Sequence, residues 1–205
     1  MARKRKGLLL IVSGPAGVGK GTVNAALMAK HPEIKMSVSA TTRAPRPGEI
    51  DGVHYFFKTK EEFDRMIEEN AFLEYMHVFG MNYYGTPKAF VEEERQKGNH
   101  VILEIDVQGA MNVKKRFPQG IYVFILPPSM AELEKRLRGR GTDAEEVVAR
   151  RLAAAAGEIA LAKEYSYIVV NDKVETAVKT LSAIVAAEHV RTDRNLETIE
   201  EIIND

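Results

Sequence analysis

The segment Gly14 to Thr22, GPAGVGKGT, constrains the fold of this chain more than any other stretch. It follows the aliphatic run Leu8 to Ser13 and precedes VNAALMAKH, a helical pattern closed by Pro32. A run of that kind reads as a buried strand, so the order predicted is strand, glycine-rich turn, helix. In that context glycine lets backbone N–H groups turn toward a phosphate, and the helix N-terminus adds positive dipole. Lys20 then reaches the terminal phosphates. Isolated glycine-rich turns are common connections; the flanking strand and helix are what make this one a nucleotide-binding prediction. The hydroxyl that usually follows the lysine and binds Mg²⁺ is missing, because that position is Gly21 and Thr22 comes next. No direct side-chain metal ligand is expected from the loop. Mg²⁺ is expected to be held mainly by phosphates and water, in keeping with its reluctance to dehydrate.

The same rhythm continues along the chain. Lys35 to Ala40 reads as a short strand, and His100 to Asp106, Ile121 to Leu126 and Ser166 to Val170 as near-continuous apolar strands. Helical patterns separate them, and Val174 to His189 has the spacing of a final packed helix, so the class predicted is α/β with a central parallel sheet in three layers. With 205 residues, the chain suits one domain or one core carrying insertions. Lys+Arg and Asp+Glu both total 29, so no global field draws the chain to nucleic acid or an anionic membrane. Any polyanion site must be local. The absence of cysteine excludes disulfides, thiolate zinc sites and a cysteine nucleophile, and suits a reducing cytoplasm, the expected location. Leu8 to Val12, behind basic Arg3 to Lys6, is too short for a secretory or membrane segment and is expected to be a strand behind a solvated tail.

Two stretches break the rhythm. From Ser39 to Lys97 the chain carries TTRAPRPGEIDG, a strand VHYFF, a helix from Lys60 with Thr59 and Glu62 at capping-box spacing, then FLEYMHVF and MNYYGTP. Thr86 and Pro87 are expected to start another helix, with Gly98 beyond its end. The second, Lys135 to Leu152, sets glycines Gly139 and Gly141 among arginines, between helices with caps expected at Ser129 with Glu132 and Thr142 with Glu145. Asp106, at the end of HVILEID, stands where the acidic residue of a second nucleotide motif faces the metal-phosphate region, and strand alternation puts Glu104 on its face. Leu196 to Asp205 reads as an amphipathic helix whose Leu196, Ile199, Ile202 and Ile203 would pack on the chain's own core or on a partner chain, which leaves a homo-oligomer open.

Taken together, LLLIVSGPAGVGKGT, SVSATTRAPRPGEIDGVHYFF, FLEYMHVFGMNYYGTP, VILEIDVQGA, RLRGRGT and YIVVND resemble the guanylate kinase family, in its bacterial form, over nearly the whole chain. The resemblance implies transfer of the γ-phosphoryl group of ATP to GMP, with Mg²⁺, on a P-loop core with a GMP-binding insertion and a helical lid. The implied parts are a core of about 7–38, 98–130 and 160–190, an insertion of about 39–97, a lid of about 135–155 and a helical tail of about 191–205. Gly14, Pro15, Ala16, Gly17, Val18, Gly19, Lys20, Gly21 and Thr22 would bind ATP, with Arg136, Arg140 and Arg151 closing over its phosphates and Asn171 approaching adenine. Arg43 and Arg46 would grip the GMP phosphate, with Tyr55 and Tyr84 as hydroxyl partners. Glu74 would accept from the guanine N1–H and N2–H, while Ser39 and Thr86 would face O6. Asp106 would contact GMP or organise magnesium through water, and Glu104 stands where the family often has Asp.

The chemistry agrees with those roles. Arginine's planar fork suits phosphate, and guanine offers an O6 acceptor and an N2 donor that adenine lacks, so a carboxylate with nearby hydroxyls would disfavour AMP. Phosphoryl transfer needs in-line placement and charge stabilisation, which makes Lys20, Arg43, Arg46, Arg140 and Arg151 the expected catalytic clamp. Arg138 and Arg150 read as solvated, and His54 as a surface or structural residue. Two rivals stay open: a guanylate-kinase-like protein-binding module without turnover, and a kinase of another phosphate-bearing acceptor. The retained Lys20 and lid arginines speak against the first, and Glu74 with Ser39 and Thr86 against the second.

Overall fold

The computed structural model describes residues 6–78, 82–139 and 144–204. Its first strand, β1 (Leu9–Ser13), is buried along its whole length. Successive strand residues point to opposite faces, so β1 feeds two cores. Leu10 and Val12 join Val23 and Leu27 on one side, and Leu9 and Ile11 join Val101, Leu103 and Val113 on the other. A strand covered on both faces belongs in the middle of a parallel sheet.

Helix α1 (Lys20–Lys30) and strand β2 (Ile34–Met36) follow, then β3 (Ala40–Thr41), β4 (Phe56–Phe57), α2 (Lys60–Glu68), β5 (Phe72–Val78), β6 (Asn82–Pro87) and α3 (Lys88–Gln96). The chain continues through β7 (His100–Glu104), α4 (Val107–Arg116), β8 (Ile121–Leu126), α5 (Met130–Gly139), α6 (Glu145–Ala160), β9 (Tyr167–Val170), α7 (Val174–His189) and α8 (Leu196–Asn204). Five strands form one parallel sheet in the order β2-β7-β1-β8-β9. Four form a second, in the order β4-β3-β6-β5. In an open parallel sheet, ligands sit beyond the carboxyl ends of the central strands, and the loop after β1 lies there.

Several predicted elements come out differently. The run Lys35 to Ala40 is divided, with Ile34–Met36 in the parallel sheet and Ala40 in the second one. Of VHYFF only Phe56 and Phe57 join the second sheet, because Ile50 to His54 is held by turns within its own loop and Tyr55 bridges Asp51 there. His54 accepts the Ile50 N–H through Nδ1 at 3.0 Å, a structural role. Strand β7 stops at Glu104, and Asp106 caps α4 instead of ending the strand. Helix α6 starts from Ala144 with no side-chain cap; the expected cap Thr142 lies outside the described residues. The tail helix α8 leaves Leu196, Ile199, Ile202 and Ile203 exposed, not packed on the core of this chain.

The capping box of α2 forms in full, with Thr59 and Glu62 each accepting the other's backbone N–H, at 3.1 and 2.8 Å. It aims Phe63 at Phe72, whose ring stacks on it at 4.4 Å. Thr59→Ala is expected to cost about 1 kcal/mol in urea unfolding.

At the start of β7, His100 is 4% exposed. Its Nδ1 accepts the Leu8 N–H at 3.0 Å, so the neutral ring carries its proton on Nε2, which faces His189 Nε2 at 2.7 Å. Burial, with His189 adding to it, pulls His100 down to about 4. The unfolded chain then takes up this proton before the native one does. Stability is full above pH 6.5 and falls as the pH drops from there toward about 4. Urea midpoints should show a loss of about 2 kcal/mol between pH 7 and pH 5. That loss should be largely absent in His100→Gln.

Candidate functional site

The loop between β1 and α1 takes backbone angles open to glycine. Gly14 has φ 151° and Gly19 has φ 93°. A Cβ on Gly14 would stand 2.4 Å from the Ile125 carbonyl oxygen, and one on Gly19 2.7 Å from Asn171 Nδ2. Gly19 is also the N-cap of α1, so it offers no side-chain acceptor, and the first turn holds no acidic residue. The first-turn N–H groups and the positive helix end therefore face the cavity, where an anion can take them. Lys20 Nζ donates to the Gly14 and Pro15 carbonyls at 2.6 and 3.2 Å, folded back over its own loop. The cavity measures about 460 Å³ and is lined by Ala16, Gly17, Gly19 to Thr22, Glu104 and Arg151.

The far wall of the loop is pinned by distant residues. Asn171, buried after β9, donates from Nδ2 to the Val18 carbonyl at 2.8 Å. Arg136 donates to the Asn171 carbonyl at 3.0 Å and from Nε to Glu132 at 2.9 Å. Both thus flank the loop and hold it. Arg140 lies outside the described residues. Arg138 is ion-paired to Glu134 and Glu145 on an exposed face, consistent with a solvated role.

Glu104, exposed at the end of β7, has both carboxylate oxygens 3.8 Å from where a Cβ on Gly21 would stand, and Oε2 accepts from Asn24 Nδ2 at 2.9 Å. It thus lines the loop cavity. Asp106 accepts the Gly109 N–H at 2.7 Å through one oxygen, as the cap of α4. Among the described residues no group of three or more His, Cys, Asp or Glu could hold a metal ion. The oxygen donors near the loop, Glu104 and Thr22, fit a hydrated Mg²⁺ arriving with a nucleotide better than a resident bare ion.

The remaining candidates gather on the second sheet. Arg43 follows β3, and its guanidinium lies over the Tyr55 ring at 5.4 Å and the Phe57 ring at 5.9 Å. Tyr55 and Tyr84 meet edge to face at 6.0 Å. Arg43 Nη2 donates to Glu49 at 2.8 Å, and the Arg46 backbone N–H donates to the other Glu49 oxygen at 2.7 Å, while the Arg46 side chain is exposed. Glu49, with Tyr84 adding to it, holds Arg43 above its ordinary range. Two residues from Tyr84 on the same face of β6, Thr86 donates its hydroxyl to Glu74 at 2.8 Å. Both are buried, at 1% and 7% exposure. Burial pushes the Glu74 carboxyl up, opposed by the Thr86 hydroxyl and reinforced by Asp106. Ala40 pairs with Gly85 and Thr41 with Tyr84, so half-buried Ser39 stands at the end of β3 nearest Thr86.

Two residues in these clusters escape a reading of the sequence. Asn24 lies one turn after Lys20 on the same face of α1, a spacing that hints at a shared site. Glu49 lies three residues after Arg46 in a proline-bounded loop, where its charge alone would have marked it as an arginine partner.

Comparison with known proteins fits this geometry. A family model described as guanylate kinase matches residues 6–188. The guanylate kinase of Caldanaerobacter subterraneus subsp. tengcongensis is 53% identical over 195 residues, 95% of this chain and 94% of that one. That of Halalkalibacterium halodurans is 52% identical over 98% of both. The crystal structure of guanylate kinase from Anaplasma phagocytophilum superposes with a TM-score of 0.72 at 35% identity, covering 97% of this chain and 95% of the other. With the phosphate loop, the parallel sheet behind it and identity above half across nearly its full length, the chain belongs to the guanylate kinase family.

Proposed function

We propose that this chain transfers the γ-phosphoryl group of ATP to GMP, giving ADP and GDP, a reaction of purine nucleotide metabolism placed in the cytoplasm. Family membership supports the kinase, and the buried Glu74–Thr86 pair carries the choice of acceptor. A buried carboxylate with few donors is costly, and the N1–H and N2–H of guanine are the two donors it lacks. Thr86 and Ser39 would then serve O6. Arg43 and Arg46, with Tyr55 and Tyr84, would take the GMP phosphate at the other end of the same sheet. Glu49 holds Arg43 in the meantime, so the fork is already formed when phosphate arrives.

ATP would sit with its phosphates on residues 14–22, its adenine toward Asn171, and Arg136 beside the loop. Lys20 turns from the Gly14 and Pro15 carbonyls to the phosphates. Lys20, Arg43, Arg46, Arg140 and Arg151 form the clamp that stabilises charge on the moving phosphoryl group, with Glu104 and Asp106 on the GMP side or on the metal's water. When bound, Mg²⁺ neutralises phosphate charge. Residues 39–97 serve as the GMP-binding insertion and 135–155 as a lid that closes before transfer and excludes water.

The test is ADP formation from ATP and Mg²⁺ with GMP, AMP, CMP and UMP offered separately, beside a blank without acceptor. Turnover that depends on GMP and is weak with the others is the expected result. Silence with every acceptor, from protein shown to be folded, would replace the reading with a binding module.

A further inference from the structure

A second cavity, of about 580 Å³, lies on the side of the parallel sheet that Leu9 faces, and it shares no lining residue with the cavity at the phosphate loop. Its apolar wall is Leu9 of β1, Leu73 of β5, Val91 of α3 and Phe117, the C-cap of α4; the first three are buried. Cavities of this size and lining hold small organic ligands, oriented by a few polar or charged groups. Here the charged groups are three cations, Lys88, Arg95 and Arg116, and one carboxylate, Glu92. We infer that this cavity is a binding site for a small organic anion with an apolar body, a carboxylate or phosphate carried on an aliphatic or aromatic group.

Arg95 is the anchor of the site. It is 8% exposed, its Nε donates to the Gly7 carbonyl at 2.8 Å, and its guanidinium lies over the Phe117 ring at 5.2 Å. Nη1 reaches Glu92 only at 3.4 Å. Close arginine–carboxylate bonds measure about 2.7–2.9 Å, so this ion pair is a loose one. Glu92 is also ion-paired to Lys6. A buried charge without a close counterion is costly, and an anion entering the cavity removes that cost. Lys88 donates to the Asn70 carbonyl at 2.6 Å, a neutral partner that leaves its charge uncancelled. Exposed Arg116 has no hydrogen bond or ion pair among the described residues. Two guanidinium forks suit the oxygens of a carboxylate or phosphate, and Leu9, Leu73 and Val91 offer the body of the ligand a place out of water. With three cations against one shared carboxylate, the wall favours an anion over a neutral or cationic molecule of the same shape.

The test is isothermal titration calorimetry of the full chain with octanoate and with octyl phosphate, each repeated in saturating ADP and GMP. Binding of one molecule per chain, unchanged by the nucleotides, is the expected result, and the tighter of the two probes identifies the head group. Octanol and inorganic phosphate, the body and the head alone, should each bind at least about tenfold more weakly. Arg116→Gln, at an exposed position, should weaken the preferred probe by about tenfold or more, whereas Lys115→Gln, exposed and outside the cavity, should leave it unchanged. Arg95→Lys keeps the charge but loses the fork and should weaken it as well; Arg116→Gln carries the test if that buried variant does not fold. Neither probe binding, affinity unmoved in Arg116→Gln, binding abolished by the nucleotides, or equal binding of octanol or inorganic phosphate overturns the site. So does a molar mass by light scattering that falls as octanoate saturates, since a second copy of the chain would then be what fills the cavity.

Discussion

Lys20→Ala should lower kcat for GMP-dependent ADP formation by about 10³-fold or more while leaving the melting curve nearly unmoved. The two observations together carry the test. In the ligand-free chain the ammonium satisfies the Gly14 and Pro15 carbonyls. Lys20 itself is half-buried and lines the cavity, so water can enter where its side chain lay and the stability change should stay within about 1 kcal/mol. In the transition state water offers no comparable fixed charge, because spreading negative charge on the phosphoryl group needs a cation already in place. Turnover close to that of the wild type would remove the loop from the mechanism. A large drop in melting temperature would instead make Lys20 a structural residue.

Glu74→Gln should raise the dissociation constant for GMP by about 10- to 100-fold, the value of hydrogen bonds made to a charged group. The ATP constant should change by less than about twofold, since additivity holds for separated sites. The amide keeps one accepting oxygen but turns an N–H toward the other N–H of the base, so one contact survives and the other becomes repulsive. Stability should move the other way. Glu74 is 7% exposed and burial already disfavours its charge, so the neutral isostere removes a desolvation cost and should be at least as stable as the wild type. Calorimetry for each nucleotide and a urea curve would decide the matter. Equal losses for ATP and GMP would deny Glu74 a base-reading role.

Local patterns carried much of this fold. The runs of β8 and α7 match their elements residue for residue. The Thr59–Glu62 box forms as spaced, and the glycines of residues 14–19 take the angles that a phosphate loop needs. All of these depend on neighbours within a few residues, so periodicity and capping chemistry express them directly.

What stayed hidden depends on chain segments brought together from far apart. Nothing between Lys35 and Ala40 tells that the run changes sheets, because pairing partners at 100–102 and 85 decide it. The register of β5 on β6 shifts between Phe72 and Glu74, and this irregularity lets Phe72, Leu73 and Glu74 all be buried where alternation alone would expose one face. Asp106 lies at a strand end by pattern, yet the Gly109 N–H makes it a helix cap. Asn24 reaches Glu104 across 80 residues, and Arg151 lines the loop cavity only because α6 is brought to it in space. By itself the sequence determined the phosphate loop, the class of fold and most strands and helices, since those follow from short-range sterics and hydrophobic period. Tertiary structure alone decided which carboxylates are buried, which hold a backbone and which face a cation, because the energy of a charge is set by everything around it in space and not by its place along the chain.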